Sequence, residues 1–342
     1  MKTEIPLLTI AMPTYNRASS LQHSLAALIR QIDKVAGGWE IIEVIVSDNC
    51  STDETPLVVK QFDDRPGLTY IRNSENFGME GNFISCFEKA KGTFVWIFSD
   101  DDLLVDDALW KIVQLIKDKP VDIIYLPPRY LFGELDSFSS AKVKFNINRV
   151  SDTYFALRSN GVLSFLSAVV INKDRYLQLR EDDNLRRYKG TFLAHYEWIY
   201  TILANGRYFY LASKPIIQAR TGATGGYDLF LVFSEYYVRI GREKLSKKPR
   251  IRQDLENAML YIHIPGFISR CRANNFGKFE FIPNLVAEQI HHVYGNSLFY
   301  RLFIKNQLLA PPLVSSFVYK LSRLYSRLWS ISRRMVCKIQ LL

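Results

Sequence analysis

The chain is poor in cysteine and has no long apolar run, and each absence excludes a class of protein. Its four cysteines are far apart and show no C-x-x-C spacing, so the sequence predicts neither a disulfide framework nor a zinc site and favours a reducing compartment. No stretch of about eighteen apolar residues occurs, which argues against a membrane-spanning helix and leaves surface attachment open. Glu4 lies where a signal peptide would carry basic residues, so we expect no signal peptide.

Acidic residues are missing from the C-terminal end. No Asp or Glu follows Glu288, and the basic residues beyond it account for most of the net charge of +10: Arg301, Lys305, Lys320, Arg323, Arg327, Arg333, Arg334 and Lys338. Apolar residues recur every three or four positions over about 313–340, which predicts an amphipathic basic helix. Such a helix is typical of attachment to an anionic membrane surface; the alternative is a helix packed on its own domain with a solvated basic rim.

Apolar runs alternate with helical patterns over the first part of the chain. The sequence predicts strands at 7–12, 41–47, 68–71, 94–98 and 121–126. Helical spacing between them indicates an α/β fold whose mostly parallel sheet is covered by helices on both faces. Ligands bind such sheets at the carboxyl ends of the strands, where polar residues occur here: Asn16, Asp48, Asn76 and Asp100–Asp102.

The remainder of the chain is less regular and becomes helical from residue 228. A helix at about 192–205, a strand at 207–212 and a glycine-rich loop at 220–226 precede it. We therefore predict one α/β domain over 1–226, with halves at 1–126 and 127–226, and a helical C-terminal region over 227–342.

Three consecutive aspartates follow the strand at 94–98. Their carboxylates repel one another and disfavour folding unless a cation or a set of donors compensates the charge. A divalent ion with oxygen ligands, bridging to a diphosphate, is the simplest compensation. A solvated turn, or a helix N-terminus that attracts acids through its dipole, is the alternative.

Four short motifs occur in order over residues 7–103 and together resemble glycosyltransferase family 2. They are P-T-Y-N-R at 13–17, D-N-C-S-T-D at 48–53, N-F-G at 76–78 and S-D-D-D at 99–102. Each motif is weak alone, but the ordered set is specific. The resemblance implies the GT-A nucleotide-binding fold, a nucleotide-sugar donor and Mg²⁺ or Mn²⁺ as cofactor.

The resemblance also implies roles for individual residues. Thr14, Asn16 and Arg17 would line the nucleotide, and Asp48 would bond the base. The donor ribose and sugar would be approached by Asn76, Gly78 and Asp100. Many relatives read D-x-D-D, and Ser99 stands at the first of those four positions, so the metal ligand is Asp101 or Asp102.

Relatives place an E-D pair, which supplies the catalytic base, about a dozen residues before a G-x(8)-P element. Gly206 and Pro215 match that element, which puts His195 at the aspartate position, with Glu197 two residues later. His195 or Glu197 would then accept the proton of the acceptor hydroxyl. The alternative for His195 is a helix residue bonded to a backbone carbonyl. Arg220 would close over the diphosphate as a lid, or else lie in an ordinary surface turn.

The sequence therefore predicts a glycosyltransferase that moves a sugar from a nucleotide donor to a lipid-linked saccharide in cell-surface polysaccharide synthesis. The N-x-G-x-x-x-N spacing resembles the O-antigen branch that includes abequosyltransferase-like proteins. We expect it in the cytoplasm, peripheral on the inner face of the membrane, with no nucleic acid partner. One alternative is a sugar-1-phosphate nucleotidyltransferase, although residues 13–17 lack the glycines its phosphate loop needs. The other is a non-catalytic protein that binds a membrane surface or nucleic acid.

Overall fold

The computed structural model describes residues 5–131, 143–220, 226–273 and 280–339. Eleven strands occur among these residues. They are β1 (Leu8–Thr14), β2 (Ile42–Asp48), β3 (Leu68–Arg72), β4 (Phe94–Ile97), β5 (Leu103–Leu104), β6 (Ile123–Tyr125), β7 (Pro128–Leu131), β8 (Ile147–Val150), β9 (Val169–Asn172), β10 (Phe209–Ala212) and β11 (Ile217–Arg220).

The helices of the described residues cover the sheet and make up most of the chain beyond residue 228. The α-helices are α1 (Ala18–Ile32), α2 (Gly38–Ile41), α3 (Thr55–Lys60), α4 (Gly78–Lys89), α5 (Ala108–Asp118), α6 (Asp152–Ser159), α7 (Lys173–Leu179), α8 (Tyr196–Asn205), α9 (Leu229–Leu231), α10 (Tyr237–Lys244), α11 (Pro249–Ala258), α12 (Ile264–Arg272), α13 (Pro283–Tyr294), α14 (Lys305–Leu309) and α15 (Pro312–Ile339). Short 3₁₀ turns lie at Asn160–Ser164 and Leu166–Ala168, and π-helical turns at Val232–Tyr236, Met259–His263 and Tyr300–Ile304.

The main sheet has eight strands in the order β3-β2-β1-β4-β9-β6-β10-β8. Strands β1 to β4 are parallel, β9 runs antiparallel to β4 and β6, and β8 runs antiparallel to β10 at the edge. The predicted α/β class with a mostly parallel sheet is confirmed, while β8, in the irregular stretch, was not assigned from the sequence. The strand order reverses between β1 and β4, and ligands bind α/β sheets beside such a reversal.

Side chains of alternate residues pack on opposite faces of the sheet. On one face, Ile10, Val44 and Trp96 belong to a core with α1 and α5. On the other, Ile45 and Val95 pack with α4 and α8, where the rings of Phe87 and Trp198 stack 4.4 Å apart. This second core also contains buried residues beyond 226, so the division of the chain at 226 stays a prediction.

Helix α15 forms where the amphipathic basic helix was predicted, and three of its serines face the rest of the molecule. Ser315, Ser322 and Ser326 are buried against the rest of the molecule. The large apolar side chains face outward: Leu313, Val314, Phe317, Leu321, Leu324, Leu328, Ile331 and Met335 are 41–88% exposed. None of the described helices is long and apolar enough to cross a bilayer.

Candidate active site

A cleft of about 600 Å³ opens at the carboxyl ends of β1 and β4, beside the reversal of strand order. Residues predicted from widely separated motifs converge on it. Those that line it are Thr14, Arg17, Asn76, Gly78, Asp100, Asp101, Asp102, His195 and Arg220. The parallel register explains part of this convergence, because Ala11 of β1 lies opposite Ile97 of β4 and both strands end at the same edge.

The loop after β1 brings one cation and one hydroxyl to the cleft. Thr14 is 3% exposed, and its side chain lies beside the carboxyl group of Asp100. The guanidinium of Arg17 reaches across to the acids, 3.0 Å from Asp100 and 2.8 Å from Asp101. Asn16 holds the loop, since its amide oxygen accepts from the backbone N–H of Thr52 at 2.7 Å. Asn16 has a positive φ of 52°, a conformation that asparagine tolerates better than most residues.

The three aspartates that follow β4 differ in their surroundings. Asp101 also accepts a hydrogen bond from the hydroxyl of Ser99 at 2.5 Å. Asp102 is 1% exposed, and one of its carboxylate oxygens has no hydrogen-bond partner among the described residues. A buried carboxylate oxygen without a hydrogen bond lowers the stability of the folded protein unless a further group binds it.

Burial makes ionisation of two of these aspartates unfavourable. It raises the pKa of Asp100 to about 6, although the charge of Arg17 acts in the opposite direction. Burial, and next the neighbouring charge of Asp101, raise the pKa of Asp102 well above its usual range. A positive charge entering beside these carboxyl groups would lower both pKa values, so the site favours a bound cation.

The aspartates fit a divalent ion shared with a phosphate ligand better than an ion held by protein alone. Among the described residues, no group of three or more His, Cys, Asp or Glu side chains converges as a complete metal cage. Asp102 nevertheless offers an unsatisfied oxygen beside two further carboxylates. Mg²⁺ commonly binds through one or two carboxylates, with substrate phosphates and waters as the other ligands.

Asp48 ends β2 and lies beneath the loop that follows it. It is fully buried, and its two carboxylate oxygens accept from the backbone N–H of Ser51 at 2.8 Å and from the hydroxyl of Tyr70 at 2.6 Å. Asp48 is not among the described residues that line the cleft. Its predicted bond to the base therefore stays a prediction.

An asparagine network shapes the donor side of the cleft, and the sequence analysis did not identify its centre. Asn49 donates to the amide oxygen of Asn76 at 2.7 Å and accepts from the backbone N–H of Phe77 at 3.0 Å. Asn76 accepts in turn from the N–H of Gly78 at 2.9 Å. Gly78 has φ of +74°, which favours glycine. Asn49 directly follows Asp48, so its place in the second motif was the available signal.

The two candidate bases point to different places. His195 lines the cleft, is 2% exposed, and neither ring nitrogen has a hydrogen-bond partner among the described residues. Burial lowers the pKa of His195 to about 3, so the imidazole is neutral at neutral pH. The carboxylate of Glu197 instead lies 2.5 Å from the ammonium of Lys244 and 3.5 Å from the guanidinium of Arg187. Burial raises the pKa of Glu197, and Lys244 opposes that effect.

Arg220 ends β11 at the rim of the cleft. Strand β11 pairs with β5, which begins directly after Asp102, and the backbone N–H of Arg220 bonds the carboxylate of Asp102. The predicted loop therefore starts next to the acids. Residues 221–225 of that loop lie outside the described residues.

Aromatic residues that the sequence analysis did not select also line the cleft. Phe192 stacks on Tyr227 with ring centroids 4.6 Å apart, and Phe165 and Phe233 line the same cleft. Phe192 has φ of +62°, which is rare for a bulky residue. These aromatics come from three separate segments with no common motif, so the sequence carries no local signal for them.

Comparison with known proteins agrees with this geometry. The model for glycosyl transferase family 2 matches residues 9–169, a span that holds the loop after β1, the asparagine network and the three aspartates. The part of the chain over residues 9–169 belongs to glycosyltransferase family 2. Among the relatives, abequosyltransferase RfbV of Salmonella typhimurium is 28% identical over 283 residues, covering 74% of this chain and 80% of that protein. This glycosyltransferase is also 31% identical over 112 residues to the GalNAc(5)-diNAcBac-PP-undecaprenol beta-1,3-glucosyltransferase of Campylobacter jejuni, which covers 32% of this chain and 34% of that one.

Two solved structures share the GT-A fold of this family 2 enzyme. TarS 1–349 of S. aureus in complex with UDP-GlcNAc aligns with a TM-score of 0.59 and 16% identity, over 95% of this chain and 88% of that one. Mannosyltransferase PcManGT of Pyrobaculum calidifontis, in complex with GDP-Man and Mn²⁺, aligns with a TM-score of 0.50 and 16% identity, over 96% and 84%. Because both identities are only 16%, the likeness establishes the fold alone.

Proposed function

We propose that this family 2 enzyme transfers a sugar from a nucleoside-diphosphate donor to a lipid-linked saccharide during synthesis of a cell-surface polysaccharide of the O-antigen type. One observation supports the chemistry: the acid cluster, Arg17 and the imidazole of His195 lie in one cleft. A nucleoside diphosphate departs with growing negative charge, and preorganised positive groups stabilise such a charge. Two relatives support the acceptor class. The name of the Campylobacter relative includes a saccharide linked to undecaprenol through a diphosphate, and the Salmonella relative is an abequosyltransferase.

The donor would lie over the carboxyl ends of β1 and β4. Thr14, Arg17 and the Asn76–Gly78 turn would contact its nucleotide and sugar, and Arg220 would contact the diphosphate from the rim. Asp102, with Asp101 or Asp100, would hold Mg²⁺ or Mn²⁺. When bound, that cation supplies charge stabilisation at the leaving diphosphate. The Mn²⁺ in the complex of the Pyrobaculum enzyme supports this choice.

His195 is the better candidate for the proton acceptor. Its imidazole is neutral, lies in the cleft and keeps one unprotonated nitrogen with no partner among the described residues, whereas the carboxylate of Glu197 is bound by Lys244 and Arg187. A neutral imidazole can take the proton of an acceptor hydroxyl as the new glycosidic bond forms. Glu197 would instead stabilise the packing of α8 on α10.

The experiment for this activity begins with a screen of nucleotides and nucleotide sugars for protection against thermal unfolding in Mn²⁺. A ligand that binds the folded state raises its stability according to its occupancy. The nucleotide sugars that protect are then assayed for release of nucleoside diphosphate. Protection by none of the nucleotides, with full folding of the protein, would contradict the proposed function.

Helix α15 supports attachment to the inner, anionic face of the cytoplasmic membrane. Three of its serines and the rings of Tyr325 and Trp329 contact the protein, whereas a row of large aliphatic side chains and Phe317 faces outward. Arg333 binds Asp254 of α11 at 2.9 and 2.6 Å, so its charge is paired within the protein. Lys320, Arg323 and Arg327 would meet anionic lipid, at roughly 1 kcal/mol each.

Vesicle flotation tests this attachment. Phe317→Ser with Leu324→Ser and Leu328→Ser should remove binding to vesicles of phosphatidylglycerol and phosphatidylcholine. Ser316→Ala with Ser332→Ala, also on exposed positions of α15, is the matched control and should float as the wild type does. Equal flotation of both variants would contradict a lipid-facing α15, and retention on RNA without flotation would favour a nucleic acid partner.

A further inference from the structure

Glu80 makes an unusual pair of contacts across the cleft region. It lies in the first turn of α4 and is 8% exposed. One carboxylate oxygen accepts from the backbone N–H of Ala194 at 2.9 Å, and the other accepts from the N–H of Gly190 at 2.6 Å. Both carboxylate oxygens therefore bind a single segment more than a hundred residues away in the chain. Hydrogen bonds to an ionised acceptor are stronger than those between neutral groups.

The segment that Glu80 binds has a strained backbone. Gly190 has φ of +92° and Phe192 has φ of +62°. A non-glycine residue in this region is unfavourable and persists only where surrounding contacts fix it. Thr191 supplies one local contact, since its hydroxyl donates to the carbonyl of Tyr188 at 2.6 Å. The two bonds of Glu80 restrain the segment on either side of Phe192.

The same segment carries residues of the active site. Phe192, Leu193 and His195 all line the cleft. At the start of α4, two residues before Glu80, Gly78 lines the donor side of the same cleft. Glu80 thus connects the turn at Asn76–Gly78 to the segment that ends at His195.

We infer that Glu80 is a positioning residue that fixes the imidazole of His195 relative to the donor-binding turn at Asn76–Gly78. This inference rests on the proposed function, in which His195 accepts the proton. Glu80 makes no contact with the reacting groups; it acts through the backbone of 190–194. Misplacing a catalytic group by about 1 Å can cost roughly a hundredfold in rate.

Glu80→Gln tests the inference with little change in volume. The amide keeps one acceptor oxygen and turns two N–H donors toward a backbone donor, so one of the two bonds is lost. Glu88→Gln is the matched control on the same helix. Glu88 binds Arg186 of the neighbouring loop at 3.0 and 3.1 Å, but this ion pair is exposed, and exposed pairs contribute little.

Two measurements are made on each variant. Amide hydrogen exchange over 190–194 should speed up at least about tenfold in Glu80→Gln and stay unchanged in Glu88→Gln. For release of nucleoside diphosphate from the donor found in the screen, kcat should fall about 10- to 100-fold in Glu80→Gln with KM for the donor within about threefold. Glu80→Asp, which keeps the charge, should lie between wild type and Glu80→Gln and replaces it if Glu80→Gln does not fold.

A double variant separates positioning from general stability. If Glu80 acts through His195, adding Glu80→Gln to His195→Ala should lower kcat by less than about threefold further, because the group it positions is gone. Full additivity of the two losses, or unchanged exchange over 190–194 in Glu80→Gln, would overturn the inference. If the wild-type protein releases no diphosphate from any nucleotide sugar, the proposed function fails, and the exchange measurement still decides whether Glu80 restrains the segment.

Discussion

Two groups of residues line the cleft, and they differ in chemistry. We call them the donor wall and the aromatic wall. The donor wall consists of polar turns at the ends of parallel strands, in which Asn49 and Asn76 accept from the backbone N–H groups of Phe77 and Gly78. The aromatic wall consists of Phe165, Phe192, Tyr227 and Phe233 with one buried imidazole, His195. Fixed polar turns suit a ligand with constant features, the nucleoside diphosphate. We expect the acceptor saccharide to lie against the aromatic wall, because ligand pockets are commonly lined by aromatic side chains.

Asp102 should give the largest effect, because the donor wall depends on its charge. Asp102→Asn keeps the shape but removes the carboxyl group that could ionise beside a bound cation, so diphosphate release should fall about a thousandfold. Asp107→Asn is the control: Asp107 is exposed, has φ of +61°, and asparagine tolerates that conformation. Near-wild-type release by Asp102→Asn would remove Asp102 from the site.

His195→Ala should give the next largest effect. It should change the aromatic wall and leave the donor wall intact. Loss of a proton acceptor costs about 10²- to 10⁴-fold in kcat, while donor binding should be unchanged because the polar turns remain. The measurement is kcat for transfer or hydrolysis beside the dissociation constant of the nucleotide. His292→Ala, at an exposed position of α13, serves as control. Equal loss in both variants would contradict a specific role for His195.

Glu197→Gln should lower the stability of the protein and leave kcat nearly unchanged. It leaves Lys244, only 11% exposed in its side chain, without its closest carboxylate, so the free energy of unfolding should fall by about 3 kcal/mol. Because Glu197 does not line the cleft, kcat at a temperature where the variant is folded should stay within about threefold. Denaturant unfolding and initial rates measure the two quantities. A hundredfold loss of kcat with unchanged stability would restore Glu197 as the base.

The pH dependence of the donor wall should follow Asp100. Its pKa of about 6 means that the carboxyl is largely protonated at pH 5 and ionised at pH 7. Cation-dependent affinity for the nucleotide should therefore rise with pH through this window, by up to roughly tenfold per unit. Because the folded-state pKa is raised, ionising Asp100 costs stability. The melting temperature of the ligand-free protein should therefore fall, relative to Asp100→Asn, as the pH rises from the ordinary pKa of 3.8 to about 6. A flat affinity profile would contradict this assignment.

The sequence predicted the two walls unequally, for a physical reason. The donor wall follows from local rules: strands end in Pro13–Arg17, Asp48–Asp53 and Asp100–Asp102, and parallel strands bring those ends to one edge. The matching of these motifs to the family gave the fold correctly. The aromatic wall depends on tertiary packing, because Phe165, Phe192 and Tyr227 come from segments with no shared periodicity.

The same limit explains two smaller differences. The predicted helix at 192–205 begins at Tyr196, because Phe192 and the residues around it form the strained segment that Glu80 binds. The outward apolar face of α15 was visible as a periodic pattern, but only packing could show that Ser322 and Ser326 face the protein. Periodicity identifies the two sides of a helix and does not say which side is covered.

The central claim is that the acids at the end of β4 bind a cation together with a diphosphate. Calorimetric titration of the protective nucleoside diphosphate into the wild-type protein tests it, once in Mn²⁺ and once in EDTA. The account predicts binding at least about tenfold tighter in Mn²⁺, and loss of that difference in Asp102→Asn. Equal affinity in Mn²⁺ and in EDTA would contradict it.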